Sequence, residues 1–236
     1  MLTLERVGFA YPGQEPVLRE ISLSLRAGEK LGLVGDNGSG KTTLLHLIMG
    51  LLRPDEGRVI LFGRPMLAEA DFAPLRGRIG LLFQDADDQL FCPTVLEDVA
   101  FGPLNQGKSR EQAEKIARRT LERLGIGALA ERVAHQLSGG EKKMAALAAV
   151  LAMEPAVLLL DEPTTGLDFH TRQRLLELLA GLDLAMLLIS HEYDFLAEVT
   201  KQVLVLRDGH IVTEAAAPHT HVHVHPAGTH PHRHQP

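Results

Sequence analysis

The chain has 236 residues, 45% hydrophobic and 23% charged, enough for one sizeable core with a small subdomain attached. A formal charge of −6, 4% aromatic residues and no tryptophan argue against a general nucleic-acid binder, which would show a basic face or a stacking platform. Cys92 is the single cysteine, so no intrachain disulfide can form and a reducing compartment is expected, and no apolar run reaches the ~18 residues of a membrane span.

Glu5 and Arg6 interrupt the first apolar stretch, so no secretory signal core is expected. Leu2, Leu4 and Val7, then Ile21, Leu23 and Leu25 beyond a Pro12-Gly13 turn, alternate with polar residues and predict half-buried antiparallel strands. LGLVG at 31–35 is instead a continuous apolar run, as are VLLLD at 157–161 and MLLIS at 186–190; these predict buried parallel strands. Helices are predicted over Lys41–Leu52, over Glu111–Leu124 behind a Ser109/Gln112 capping box, over about Gly139–Met153, and over Thr171–Leu179. VLVLR (203–207), Asp208-Gly209 and HIVTE (210–214) read as a hairpin. The fold expected is α/β: a mostly parallel core sheet, an N-terminal antiparallel β-subdomain, and a helical subdomain at about 85–153. Residues 215–236 lack apolar periodicity and are expected to be a disordered tail.

GDNGSGKT at 35–42 matches G-x-x-x-x-G-K-[ST] between a predicted strand and a predicted helix. Backbone amides of Gly35, Asp36, Asn37, Gly38, Ser39 and Gly40 would curl around phosphate, with Lys41 at the β/γ-phosphates and the Thr42 hydroxyl at Mg²⁺. Thr43 belongs to the same nucleotide-binding set. VLLLDE at 157–162 supplies Asp161 for the Mg²⁺ shell and Glu162 as a general base toward water. A nucleoside triphosphatase is expected.

In LSGGEKK at 137–143, Ser138 and Glu141 have capping-box spacing, which leaves Gly139 and Gly140 unexplained. Two glycines suit a helix start that a phosphate approaches closely. The phosphate loop already covers one side of the nucleotide, so a second copy of the chain would present its Ser138–Glu141 from the other.

With these motifs the chain resembles the nucleotide-binding subunit of an ATP-binding-cassette (ABC) transporter over roughly residues 1–214, which implies a P-loop ATPase core. The resemblance implies that Tyr11 stacks on adenine and that Gln84 senses Mg²⁺ and the membrane partner. It also implies that Asp168, in Gly166-Leu167-Asp168, links the two sites of a dimer and that His191 contacts the γ-phosphate. ATP and Mg²⁺ would be the cofactors, and a second ATPase protomer, in a homodimer, the first partner. A transmembrane coupling subunit and a substrate-binding membrane component would complete the assembly, with this chain peripheral on the cytoplasmic face of the cell membrane and no nucleic acid involved. A soluble, non-transport ABC ATPase is disfavoured: the stretch from Gln84 to Leu137 is too short for a long coiled coil, and there is one phosphate loop.

QDADDQLF (84–91), TVLEDVAFGPLN (94–105) and GEKK resemble the ATPase subunits of energy-coupling-factor importers, which take up vitamins or cobalt and nickel. That resemblance implies that Asp87, Asp88 and Gln89 line a groove for a coupling helix of the membrane partner. Met144 and Phe169 depart from the family's usual Arg and Pro without removing a catalytic group. The chain ends soon after the last hairpin, where vitamin-type members often continue into another domain, and this favours the shorter metal-type subunits. Seven of twelve histidines, His219, His221, His223, His225, His230, His232 and His234, fall in residues 219–236. Imidazoles without thiolate suit Ni²⁺, Co²⁺, Zn²⁺ or Cu²⁺, and the first four alternate, so an extended segment would put them on one face. The expectation is the ATP-hydrolysing subunit of a cobalt or nickel importer, with a vitamin-type or zinc importer as the alternative and the histidines as a metal store or sensor.

Overall fold

Alternation in the first segment yields β1 (Leu2–Ala10) and β2 (Pro16–Leu25), and the continuous run that follows yields β3 (Lys30–Val34), leading into α1 (Lys41–Ile48). The chain continues through β4 (Glu56–Leu61), β5 (Arg64–Met66), a short α2 (Glu69–Phe72) and β6 (Ile79–Leu82). Three helices come next, α3 (Val95–Asn105), α4 (Arg110–Arg123) and α5 (Gly139–Leu151). Then β7 (Val157–Asp161), α6 (Phe169–Gly181), β8 (Ala185–Ile189) and α7 (Tyr193–Val199) lead to the hairpin β9 (Gln202–Arg207) and β10 (His210–Val212). This computed structural model describes residues 1–212, so the end of the expected hairpin and the histidine-rich tail lie outside the described residues.

One sheet is antiparallel, in the order β2-β1-β4-β5. The other runs β10-β9-β3-β8-β7-β6 and is parallel throughout except for the β9/β10 hairpin. Its central strands β3, β8, β7 and β6 are apolar apart from Lys30 and Asp161 at strand ends, because both faces are covered. Leu31, Leu33, Leu81, Leu159, Leu187 and Ile189 point into a core shared with α1 and the antiparallel sheet. Val34, Leu82, Leu158, Leu160 and Leu188 point the other way, into the core of α3, α4, α5 and α6. The helical layer and the β-subdomain thus grip opposite faces of one sheet.

Helix ends show where local chemistry overrides periodicity. α1 stops at Ile48 rather than Leu52, because Gly50 takes a left-handed φ of 70° and a Cβ there would strike the Phe72 ring at 2.5 Å. α6 starts two residues before the expected Thr171, because the Asp168 carboxylate caps it by accepting from the His170 and Thr171 amides. The Ser109/Gln112 capping box forms as the spacing predicts, at 3.0 and 3.2 Å.

Candidate active site

Four parallel strands deliver polar residues at their carboxyl ends, where open α/β sheets bind ligands. Residues 35–38 and Gly40 follow β3, Gln84 follows β6, Asp161 closes β7 with Glu162 next, and His191 follows β8. Together with Tyr11, Gln14, Val17, Lys41, Thr42, Thr43 and Thr165 they line a cleft of about 740 Å³, which Ser39 of the same loop does not line.

The floor of this cleft is the turn from β3 into α1. A Cβ on Gly35 would stand 2.4 Å from the Leu206 carbonyl oxygen, so only glycine lets the loop run that close to β9. Gly40 enters α1 at φ 102° and offers no side-chain cap, whereas α3, α4, α5 and α6 are capped by Thr94, Ser109, Ser138 and Asp168. The first amides of α1 are therefore left for an outside acceptor, an arrangement suited to an anion. Buried Lys41 meanwhile donates to the Gly35 and Asp36 carbonyls, at 2.7 and 3.0 Å. The Tyr11 hydroxyl lies 3.1 Å from Thr43 Oγ1, which fixes the ring at the cleft rim.

The acidic wall is tense. Thr42 Oγ1 donates to Asp161 Oδ2 at 2.8 Å. That spacing is close to the ~2.9 Å between adjacent corners of a Mg²⁺ octahedron with bonds of about 2.0–2.1 Å, so this pair of hard oxygens fits that ion. Burial raises the Asp161 carboxyl above its ordinary range, and the hydrogen bond from Thr42 opposes the shift. Glu162 is also buried and sits at φ 46°, a costly conformation for a residue with a side chain, held by its amide donating to the Ile189 carbonyl at 2.9 Å. His191 Nδ1 stands 2.9 Å from Glu162 Oε2, a close contact without the alignment of a full hydrogen bond.

Ser138, Gly139, Gly140, Glu141 and Asp168 do not line this cleft. Ser138 and Glu141 cap α5 reciprocally, at 2.8 and 3.3 Å, and their bonds hold the Glu141 carboxyl below its usual range. Gly139 is exposed, and a Cβ built on it would meet nothing nearer than the Gly166 carbonyl at 3.9 Å. Its lack of a side chain is unexplained by any contact among the described residues.

Of the three residues expected to line a groove, Asp87 and Asp88 are exposed, as are the T-stacked rings of Phe91 and Phe101. Gln89 is different: its amide turns inward, donating to the Leu81 carbonyl at 3.0 Å and accepting from the Phe83 amide at 3.3 Å. Lys143 was not singled out among the site residues, yet it is 3% exposed and donates to the carbonyls of Phe83 and Gln84. Burial lowers its pKa, against the pull of Asp85, Asp161 and Glu162. Helical periodicity carried the signal, since Lys143 shares the buried face of Gly140 and Leu147.

Residues 18–165 match the model of the family described as ABC transporter. A protein of Nitratidesulfovibrio vulgaris, provisionally named an ABC transporter ATP-binding protein, is 54% identical over 235 residues, covering 99% of this chain and 86% of the relative. The cobalt import ATP-binding protein CbiO of Rhodobacter capsulatus is 43% identical over 221 residues, 92% of this chain and 79% of that one. The energy-coupling factor transporter ATP-binding protein EcfA of Methanothermobacter thermautotrophicus is 38% identical over 218 residues, 91% and 70%. Among solved structures, cbiO1 of Clostridium perfringens, part of the transporter complex cbiONQ, superposes with a TM-score of 0.80 at 34% identity, covering 89% of this chain and 86% of that one. A dimeric bacterial ABC transporter cassette superposes with a TM-score of 0.81 at 29% identity, covering 89% and 96%.

Proposed function

The chain belongs to the ABC transporter family and is an ATPase, the ATP-binding subunit of a transport system, and from that premise we propose that two copies close on ATP to power a transition-metal importer. The observation that carries the two-copy reading is the separation within one chain. The phosphate loop, Asp161, Glu162 and His191 share a cleft, while the open Gly139 at the start of α5 stands apart from it. In the closed pair, Lys41 and the first amides of α1 hold the phosphates from one protomer. Ser138 and the Gly139 and Gly140 amides of the other hold them from the opposite side. Tyr11 supports the adenine.

Thr42 and Asp161, with Gln84 at the cleft edge, would hold Mg²⁺, which neutralises phosphate charge when bound. Glu162 accepts a proton from the attacking water as its oxygen adds to the γ-phosphorus. ADP leaves with the electron pair of the broken bond, and orthophosphate is the second product. His191, beside Glu162, orients that carboxylate and the γ-phosphate. Loss of the shared anion removes the contact between protomers, so the pair reopens. Asp87, Asp88, Phe91 and Phe101 form the docking surface for the transmembrane partner. No helix among the described residues is long and apolar enough to cross a membrane.

Cobalt or nickel as cargo is supported by the 43% identity to a cobalt import subunit and by seven histidines between positions 219 and 234. The relative named as an energy-coupling factor subunit favours a second reading, a vitamin-type importer. Uptake assays on cells expressing this chain with its co-purifying membrane subunits separate the two. ATP-dependent accumulation of Ni²⁺ or Co²⁺, lost on Lys41→Ala, is the expected result. Uptake of vitamins with no metal accumulation overturns the metal reading.

A further inference from the structure

We propose that Lys143 is a positioning residue that makes Gln84 in one nucleotide site answer to the nucleotide bound at the other, an inference that rests on the two-copy arrangement above. The first turns of α5 carry two side chains back to one short segment. Lys142 Nζ pairs with Asp87 Oδ1 at 2.6 Å, and Lys143 Nζ donates to the Phe83 carbonyl at 3.3 Å and the Gln84 carbonyl at 2.5 Å.

That segment is itself pre-folded. Asp85 Oδ1 accepts from the Asp87 amide at 2.9 Å, and the Gln89 amide group bridges the Leu81 carbonyl and the Phe83 amide. A displacement of α5 is therefore passed to the Gln84 backbone as a rigid movement rather than absorbed by a slack loop.

The location of Lys143 is costly, which is itself informative. A buried ammonium must be compensated, and here two carbonyls and the nearby carboxylates Asp85, Asp161 and Glu162 do so. A leucine or methionine would fill the same buried helical position without that cost. The cation ties the end of α5 that faces a partner's nucleotide to the Gln84 loop and the acids of its own site. Gly139, one turn earlier on the helix, is the point where the partner's phosphate arrives. Engagement at one site thereby sets the position of Gln84 at the other.

The test compares wild type with Lys143→Met, Gln84→Ala and the double variant, all as full-length protein. ATP turnover is measured against ATP concentration, and a fluorescent ATP analogue reports binding to each protomer. Wild type is expected to give a Hill coefficient of about 2, the number of coupled sites. Lys143→Met should bring it to about 1, lower kcat ~10-fold to 100-fold, and leave analogue affinity and KM within about threefold. The double variant should be no slower than Gln84→Ala, because residues acting through one another are not additive.

Unchanged cooperativity with kcat within about twofold of wild type, or fully additive losses, overturns the proposal. Should Lys143→Met fail to fold, Lys142→Met, altered on the accessible side of the same link, must reduce the Hill coefficient or the proposal falls. Sedimentation of Glu162→Gln with ATP, where hydrolysis does not reopen the pair, set beside wild-type turnover separates this outcome from the two-copy reading. A dimer with non-cooperative turnover sinks the coupling alone, and a monomer sinks both.

Discussion

In the proposed Mg²⁺ site, Asp161 is a single side chain placed at the expense of the resting protein. Its carboxyl is buried beside Glu162 and rests on one hydrogen bond from Thr42, so burial raises its pKa. The ionised form is therefore disfavoured in the folded apoprotein. The stability linked to this group is present at low pH and is lost as pH rises through its elevated pKa. Asp161→Asn keeps an oxygen acceptor for Thr42 and removes the charge. It should raise the apoprotein melting temperature at pH 7 by ~2–4 °C, the shift that about 1 kcal/mol produces in a chain of this size, while abolishing turnover. The advantage over wild type should shrink as pH falls toward 4, and a lower melting temperature at pH 7 would contradict this reading. Glu162 carries the same kind of cost in its backbone, at φ 46°.

Helix α5 is where local stability and function can be separated. Ser138 and Glu141 complete its cap, so the helix start is secure without its glycines. Gly139→Leu puts a side chain into open space and should leave the folding stability within about 1 kcal/mol of wild type, since glycine is itself the poorer helix former. ATP-driven association and turnover should nevertheless fall by at least about tenfold, because the new side chain occupies the phosphate's approach. Equal loss of stability and activity would make Gly139 a folding residue only.

The same helix marks what could be read before the structure. The strands at 31–35, 157–161 and 186–190 were legible because burial on both faces makes a strand uniformly apolar, and the capping boxes at Ser109 and Ser138 because their spacing is local. β4, β5, α2 and α7 were not assigned, since short elements partly open to solvent leave too few residues per period, whereas β6, buried at all four positions, and α3, behind its Thr94/Glu97 capping box, did carry local signals. The reach of Lys143 to the Phe83 carbonyl spans 60 positions, and the inward turn of Gln89 onto Leu81 and Phe83, only 8 and 6 positions away, is set by how the intervening loop folds. No local pattern encodes them.

At the level of the whole molecule, the two halves of the proposed site are arranged so that neither completes the other within one chain. The parallel sheet gathers the phosphate loop, Asp161, Glu162 and His191 into one cleft, and the helical layer presents Gly139 away from it. Everything proposed about transport, coupling and reopening depends on ATP joining two such chains. Sedimentation of Glu162→Gln with ATP and with ADP, together with phosphate release, tests this directly. The account predicts a dimer with ATP, a monomer with ADP, and hydrolysis reduced by about 10²-fold or more for want of the general base. A monomer that binds ATP fully, or normal turnover in this variant, would contradict it.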